Sequence, residues 1–66
     1  MKNRIRVARA EVRMTQQQLA EAIGVSRQTI NAIESGKFVP STVLALKMAR
    51  IFEKPGEEIF MLDEED

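Results

Sequence analysis

The stretch Thr15–Gly36, TQQQLAEAIGVSRQTINAIESG, decides how the rest of the chain is read. Thr15 and Gln18 form a capping box, in which each side chain satisfies a backbone N–H of a helix's first turn. Leu19, Ala20 and Ile23 then recur at helical spacing and define an inward face. Gly24 ends that helix in left-handed backbone, and Ser26 caps a second one, RQTINAIES, closed in the same way by Gly36. The stretch therefore predicts helices over about 16–23 and 27–35. Only about three residues separate them, so they must cross steeply, and Ala20 is small where the crossing is closest.

The flanks read as support and closure. Residues 4–13, RIRVARAEVR, contain no Gly or Pro and predict a helix whose inward stripe is Ile5, Ala8, Arg9 and Val12. Val7 lies off that stripe, open to solvent or to a partner, and Met1–Asn3 suit extended backbone. After a loop at Lys37–Pro40, Ser41 caps STVLALKMARIFE, whose apolar stripe is Leu44, Ala45, Met48, Ile51 and Phe52. Lys54-Pro55-Gly56 break that helix, and Glu57–Phe60 suit one further turn. Ile59–Leu62 make a brief apolar run with strand character before the acidic tail Asp63–Asp66. Neither a repeat nor an internal boundary divides the chain, which reads as a single all-α domain, 1–66, of four to five helices.

Size and composition narrow the possibilities. A 66-residue chain buries only about 60% of its unfolded surface, so a core this small gains from disulfides, metals or a partner subunit. Cys and His are both absent, which leaves a second copy as the expected helper. No apolar run approaches the ~20 residues of a membrane span, and no signal-peptide core opens the chain, so a cytoplasmic location is expected. The balanced net charge hides a dipole. Residues 1–37 carry Lys2, Arg4, Arg6, Arg9, Arg13, Arg27 and Lys37 against Glu11, Glu21 and Glu34, a net of +4. Residues 38–66 carry Lys47, Arg50 and Lys54 against Glu53, Glu57, Glu58, Asp63, Glu64, Glu65 and Asp66, a net of −4. The basic half, which holds the paired helices, suits phosphates.

Two short helices at this spacing outline a helix-turn-helix, a motif that lays its second helix in the DNA major groove. On a helical wheel Ile30 and Ile33 set the inward direction of that second helix. Gln28, Asn31 and Ala32 fall opposite, with Arg27 on a flank at the N-terminal end. Gln and Asn can bond adenine N6 and N7 in pairs, Arg can do so with guanine O6 and N7, and a small Ala admits a thymine methyl. An ordinary solvated face uses the same residue types, so the wheel alone leaves both readings open. Glu34 falls near the inward side, and Arg9 on the first helix is its natural partner. Gln16 opens the first helix of the pair, where free N–H groups and the dipole attract a phosphate. Lys37 lies beyond the other end, with Ser35 and Thr42 as lesser phosphate candidates.

These residues together resemble the Cro/C1-type, XRE-like helix-turn-helix family of phage repressors and small stand-alone bacterial regulators. The likeness is carried by Thr15-Gln16, Leu19-Ala20, Ile23-Gly24-Val25-Ser26, Arg27-Gln28-Thr29-Ile30, Ile33-Glu34 and Gly36-Lys37. Pro40-Ser41, Leu44-Ala45-Leu46-Lys47 and Glu57-Glu58-Ile59-Phe60 extend it over nearly the whole chain. The resemblance implies a compact all-helical repressor-like domain that binds double-stranded operator DNA as a homodimer. It implies an Arg9–Glu34 pair joining the first and third helices, base contacts from Ser26, Arg27, Gln28, Asn31 and Ala32, and a phosphate ligand at Gln16. Some phage repressors brace that ligand with a Gln at the position held here by Arg27, a departure from the pattern. Arg13 stands where the family often has Gly, and Gly56 where relatives place an apolar anchor. In some short relatives the chain ends pair as strands beside the dimer interface. Here Met1–Asn3 and the dimerisation segment of about 55–62, with Ile59, Phe60, Met61 and Leu62, are suited to that role.

The expected function is sequence-specific DNA binding in transcriptional regulation, and more readily repression, since a lone domain offers no place for an activating module or an inducer pocket. The alternative is an antitoxin-like subunit that binds a partner protein and its own promoter. A purely structural helical domain fits the basic half and the polar outer face poorly. An enzyme fits worse: Ser26, Ser35 and Ser41 serve as caps and loop groups, and the carboxylates lack metal-site spacing. No cofactor, metal or small-molecule ligand is implied, and the four Met residues suit core gaps.

Overall fold

Four of the helix boundaries follow from single side chains or from glycine. In the computed structural model, which describes residues 1–66, the Thr15 hydroxyl accepts from the Gln18 backbone N–H at 3.0 Å while the Gln18 side-chain oxygen Oε1 accepts from the Thr15 N–H at 2.8 Å. This box starts a helix at Gln16–Ile23. Ser26 accepts from the Thr29 N–H and starts Arg27–Glu34; Ser41 accepts from the Leu44 N–H and starts Thr42–Phe52. Gly24 ends the Gln16–Ile23 helix at φ +76° and Gly36 turns the chain at φ +81°. A Cβ would meet nothing within 4 Å at either glycine, so backbone conformation and not crowding demands the residue type.

In chain order the elements are β1 (Lys2–Asn3), α1 (Ile5–Glu11), α2 (Gln16–Ile23), α3 (Arg27–Glu34), α4 (Thr42–Phe52), α5 (Gly56–Ile59) and β2 (Phe60–Met61). The strands β1 and β2 pair antiparallel, Lys2 with Met61 and Asn3 with Phe60, so the two ends of the chain close on each other. The fold is the all-α domain expected, with this small sheet appended. The core draws on every helix: Ile5 and Ala8, Leu19, Ala20 and Ile23, Ile30 and Ile33, Met48 and Phe52, and Ile59. None of these helices is long and apolar enough to cross a membrane.

Three expectations are corrected. The first helix stops at Glu11 and not Arg13, and Val12, placed on its inward stripe, is 44% exposed. Arg13 itself holds left-handed backbone at φ +56°, doing without Cβ relief what a glycine does at low cost. The last helical turn starts at Gly56, one residue early, because the Pro55 carbonyl accepts from the Glu58 N–H at 3.0 Å. Ile59, assigned above to a dimer surface, is fully buried and supplies the core anchor that Gly56 lacks. Its carbonyl also accepts the Arg4 N–H at 2.7 Å, tying α5 to the start of α1.

Candidate nucleic-acid interface

The paired helices meet at the tight turn Gly24–Ser26, where the Gly24 and Val25 N–H groups both reach the Ala20 carbonyl. Ala20 is fully buried at that crossing. With Ile30 and Ile33 turned into the core, α3 must show its other face outward. Arg27, Gln28 and Asn31 stand exposed on it, with Ala32 half-buried among them. This is a row of hydrogen-bonding groups flanked by a small apolar step.

Behind the row lies a polar node. The Arg9 guanidinium grips Glu34 through two bonds, Nε to Oε2 at 2.6 Å and Nη2 to Oε1 at 3.1 Å. The Glu34 side chain is 2% exposed and that of Arg9 13%. Arg9 spends a third donor on the Met14 carbonyl at 2.9 Å, so it fixes the α1–α2 turn as well as α3. Gln16 donates to Glu34 Oε1 at 3.2 Å and to Asn31 Oδ1 at 3.4 Å. The brace on Gln16 thus comes from one turn along α3, not from position 27. Every buried side-chain polar atom in the chain has a partner, so the node carries no orphaned group.

The other candidate residues fare differently. Ser26 already accepts the Thr29 N–H and lies 3.0 Å from the Thr29 hydroxyl, so its side chain is occupied as a cap. Ser35 donates its one proton to the Ala32 carbonyl at 3.1 Å and must release it to reach a phosphate. Lys37 is exposed in the loop after α3, and Thr42 is exposed at the first position of α4. Phe60 and Met61 are half-buried in the sheet and Leu62 is 78% exposed, so only these three of the four proposed interface residues offer surface.

Three residues escaped the sequence reading. Arg6, exposed on α1, brings its Nε within 3.8 Å of Glu34 Oε1, beside the group that holds Gln16; its spacing of three from Arg9 on a helix was the available sign. Asn3 donates to the Ile33 carbonyl at 2.8 Å and accepts the Ile5 N–H at 3.3 Å, pinning β1 to the end of α3; nothing local in the sequence marks that contact. Phe38 stands half out in solvent beside Ala32, and an exposed aromatic in a predicted loop was its only signal.

The comparisons with known proteins agree with this geometry. A family model described as helix-turn-helix matches residues 5–59. An uncharacterized HTH-type transcriptional regulator of Bacillus subtilis, YgzD, is 46% identical over 66 residues, covering 100% of both chains. An uncharacterized HTH-type transcriptional regulator of Archaeoglobus fulgidus is 48% identical, over 100% of this chain and 93% of its own. Among solved structures, the restriction-modification controller protein C.AhdI of Aeromonas hydrophila superposes with a TM-score of 0.75 at 28% identity, covering 85% of each chain.

Proposed function

The chain belongs to the Cro/C1-type helix-turn-helix family of DNA-binding transcriptional regulators, and from that premise we propose that it is a repressor that grips a near-palindromic operator as a homodimer. The observation that carries this reading is the exposed row Arg27, Gln28, Asn31 and Ala32 on a helix anchored from behind by the Arg9–Glu34 pair, with Asn31 bonded to Gln16. A backbone anchored in advance sets where each side chain starts, and base readout needs those side chains within hydrogen-bonding reach. Lys37 and Arg6 supply phosphate contacts on the flanks of that row; Gln16, whose two amide protons already go to Glu34 and Asn31, adds the backbone N–H groups where α2 begins, with Ser35 and Thr42 in reserve. Repression asks nothing further of the chain, because occupying a promoter excludes polymerase. It also sets the place of work where the DNA is, in the cytoplasm.

A second copy is supported by the apolar surface left at the sheet. Val7 and Leu62 are exposed there, and Met61 shares with Val7 of α1 a groove whose other walls include the charged Arg4, Glu11, Lys54, Glu57 and Glu58. Two copies joined there present two α3 helices to half-sites about 34 Å apart. Selection of bound sequences from a random duplex pool tests the whole reading. It should enrich an inverted repeat with half-sites centred about 10 base pairs apart; an enriched single half-site overturns the dimer, and no enrichment overturns sequence-specific binding. On the selected duplex, Gln28→Ala should relax preference at one base pair by about 1–3 kcal/mol, whereas Lys37→Ala should weaken all sequences alike and flatten the salt dependence.

A further inference from the structure

Beyond the row on α3, the outer face carries an apolar notch. It is lined by Gln28, Thr29 and Ala32 of α3 and by Phe38 of the following loop. The loop is drawn there by its own backbone: the Lys37 N–H and the Phe38 N–H both donate to the Ala32 carbonyl, at 2.9 and 3.2 Å. Phe38 is therefore held against the helix end, yet its side chain joins no core cluster and the residue is 50% exposed. A ring of this size left half in water forfeits burial that it would gain by meeting an apolar group.

We propose that this notch is a thymine-methyl pocket, with Phe38 as a specificity-determining residue outside the recognition helix. The proposal rests on the DNA-binding reading above. Two of its walls, Gln28 and Ala32, belong to the base-facing row, so whatever occupies the notch lies at the floor of the major groove. There the one apolar group that bases present is the C5-methyl of thymine. The neighbouring Gln28 amide is placed to bond the edge of an adjacent base, so polar and apolar readout occur side by side. Phe38 thereby adds, from outside the recognition helix, a wall to the contact that the helix wheel gives to Ala32 alone.

Uracil tests this directly, because it keeps the pairing of thymine and lacks only the methyl. On a duplex selected from the random pool, each thymine is replaced in turn by uracil and affinity is measured with the unaltered protein. One position in each half-site should lose about fourfold, the worth of one buried methyl group. Phe38→Ala should bind the thymine duplex about as weakly as the unaltered protein binds the uracil duplex, and should no longer distinguish the two. Binding that is indifferent to uracil at every position overturns the pocket while leaving the regulator reading intact. A Phe38→Ala loss that is equal on both duplexes overturns Phe38 as its wall. If the pool yields no enriched sequence, the DNA-reading premise itself fails and the pocket falls with it.

Discussion

Two charged clusters join distant parts of this chain, and they differ in where they sit more than in how they are built. At the centre, Arg9 meets Glu34 at 2.6 Å with both side chains largely out of water. At the ends, the Met1 ammonium meets Asp63 at 3.2 Å and Asp66 at 3.3 Å, and Lys2 meets Asp63 at 3.6 Å, all at the surface of the small sheet. In the central pair, desolvation makes each ion depend on the other, so the pair acts as a geometric lock whose halves cannot be lost singly. In the terminal clasp, solvent screens each charge and any one can leave at small cost. Equal counting of ion pairs would miss this difference; burial decides it.

The most severe way to probe the contrast is Arg9→Ala. It leaves the buried Glu34 only the Gln16 amide and the solvent-exposed Arg6 at 3.8 Å, and should destabilise the domain by about 3 kcal/mol in urea or thermal melts. A loss no larger than that of a surface mutant would break the comparison. Replacing both members, Arg9→Met with Glu34→Leu, sharpens it: stability should return to within about 1 kcal/mol of the parent, since no buried charge remains unpaired. DNA affinity should stay low, because Gln16 loses one of its two holds. Arg13→Gly touches the same node from the side. Arg13 sits at φ +56° just before Met14, whose carbonyl Arg9 binds, and glycine there should stabilise by about 1 kcal/mol by relieving left-handed strain.

The terminal clasp should give the smallest responses. Asp63→Asn should leave the melting midpoint nearly unchanged, and less so at low salt than at high. The Asp63 backbone N–H, and then the Met1 ammonium, hold the Asp66 carboxyl below its usual 3.8. Its contribution is therefore present above that value and fades as pH falls through the lowered one. Hydrogen bonds to Asp63 and Asp66 raise the Met1 ammonium above 8.0, so its share is full below pH 8 and fades as pH rises beyond. Both changes should appear as shallow drifts in a melting series, without the collapse that loss of the central pair brings.

The same division separates what was legible in the sequence from what was not. Thr15, Gln18, Gly24, Ser26 and Ser41 act over three or four residues, so reading them in order locates the helices they bound. The helical wheel could bring Glu34 inward and name Arg9 because a buried carboxylate demands a cation and only one stood on the facing stripe. It misjudged Val12, since helix α1 ends one residue before it and the period that placed it no longer applies. It also took Ile59 for surface, because a four-residue helix has too little pattern to show which way it packs.

Local chemistry thus determined the helix pair, its tight turn, the outward row on α3 and the membership these imply, because caps, glycines and a 3.6-residue period are properties of neighbouring residues. Only the tertiary structure decided that Asn31 and Glu34 together hold Gln16, that Asn3 reaches 30 residues along the chain to the end of α3, and that Ile59 belongs to the core. It likewise set Phe38 against Ala32 on the outer face of α3. Those contacts join residues distant in sequence, and which of many such partners meet is settled by how the helices pack, not by any spacing along the chain.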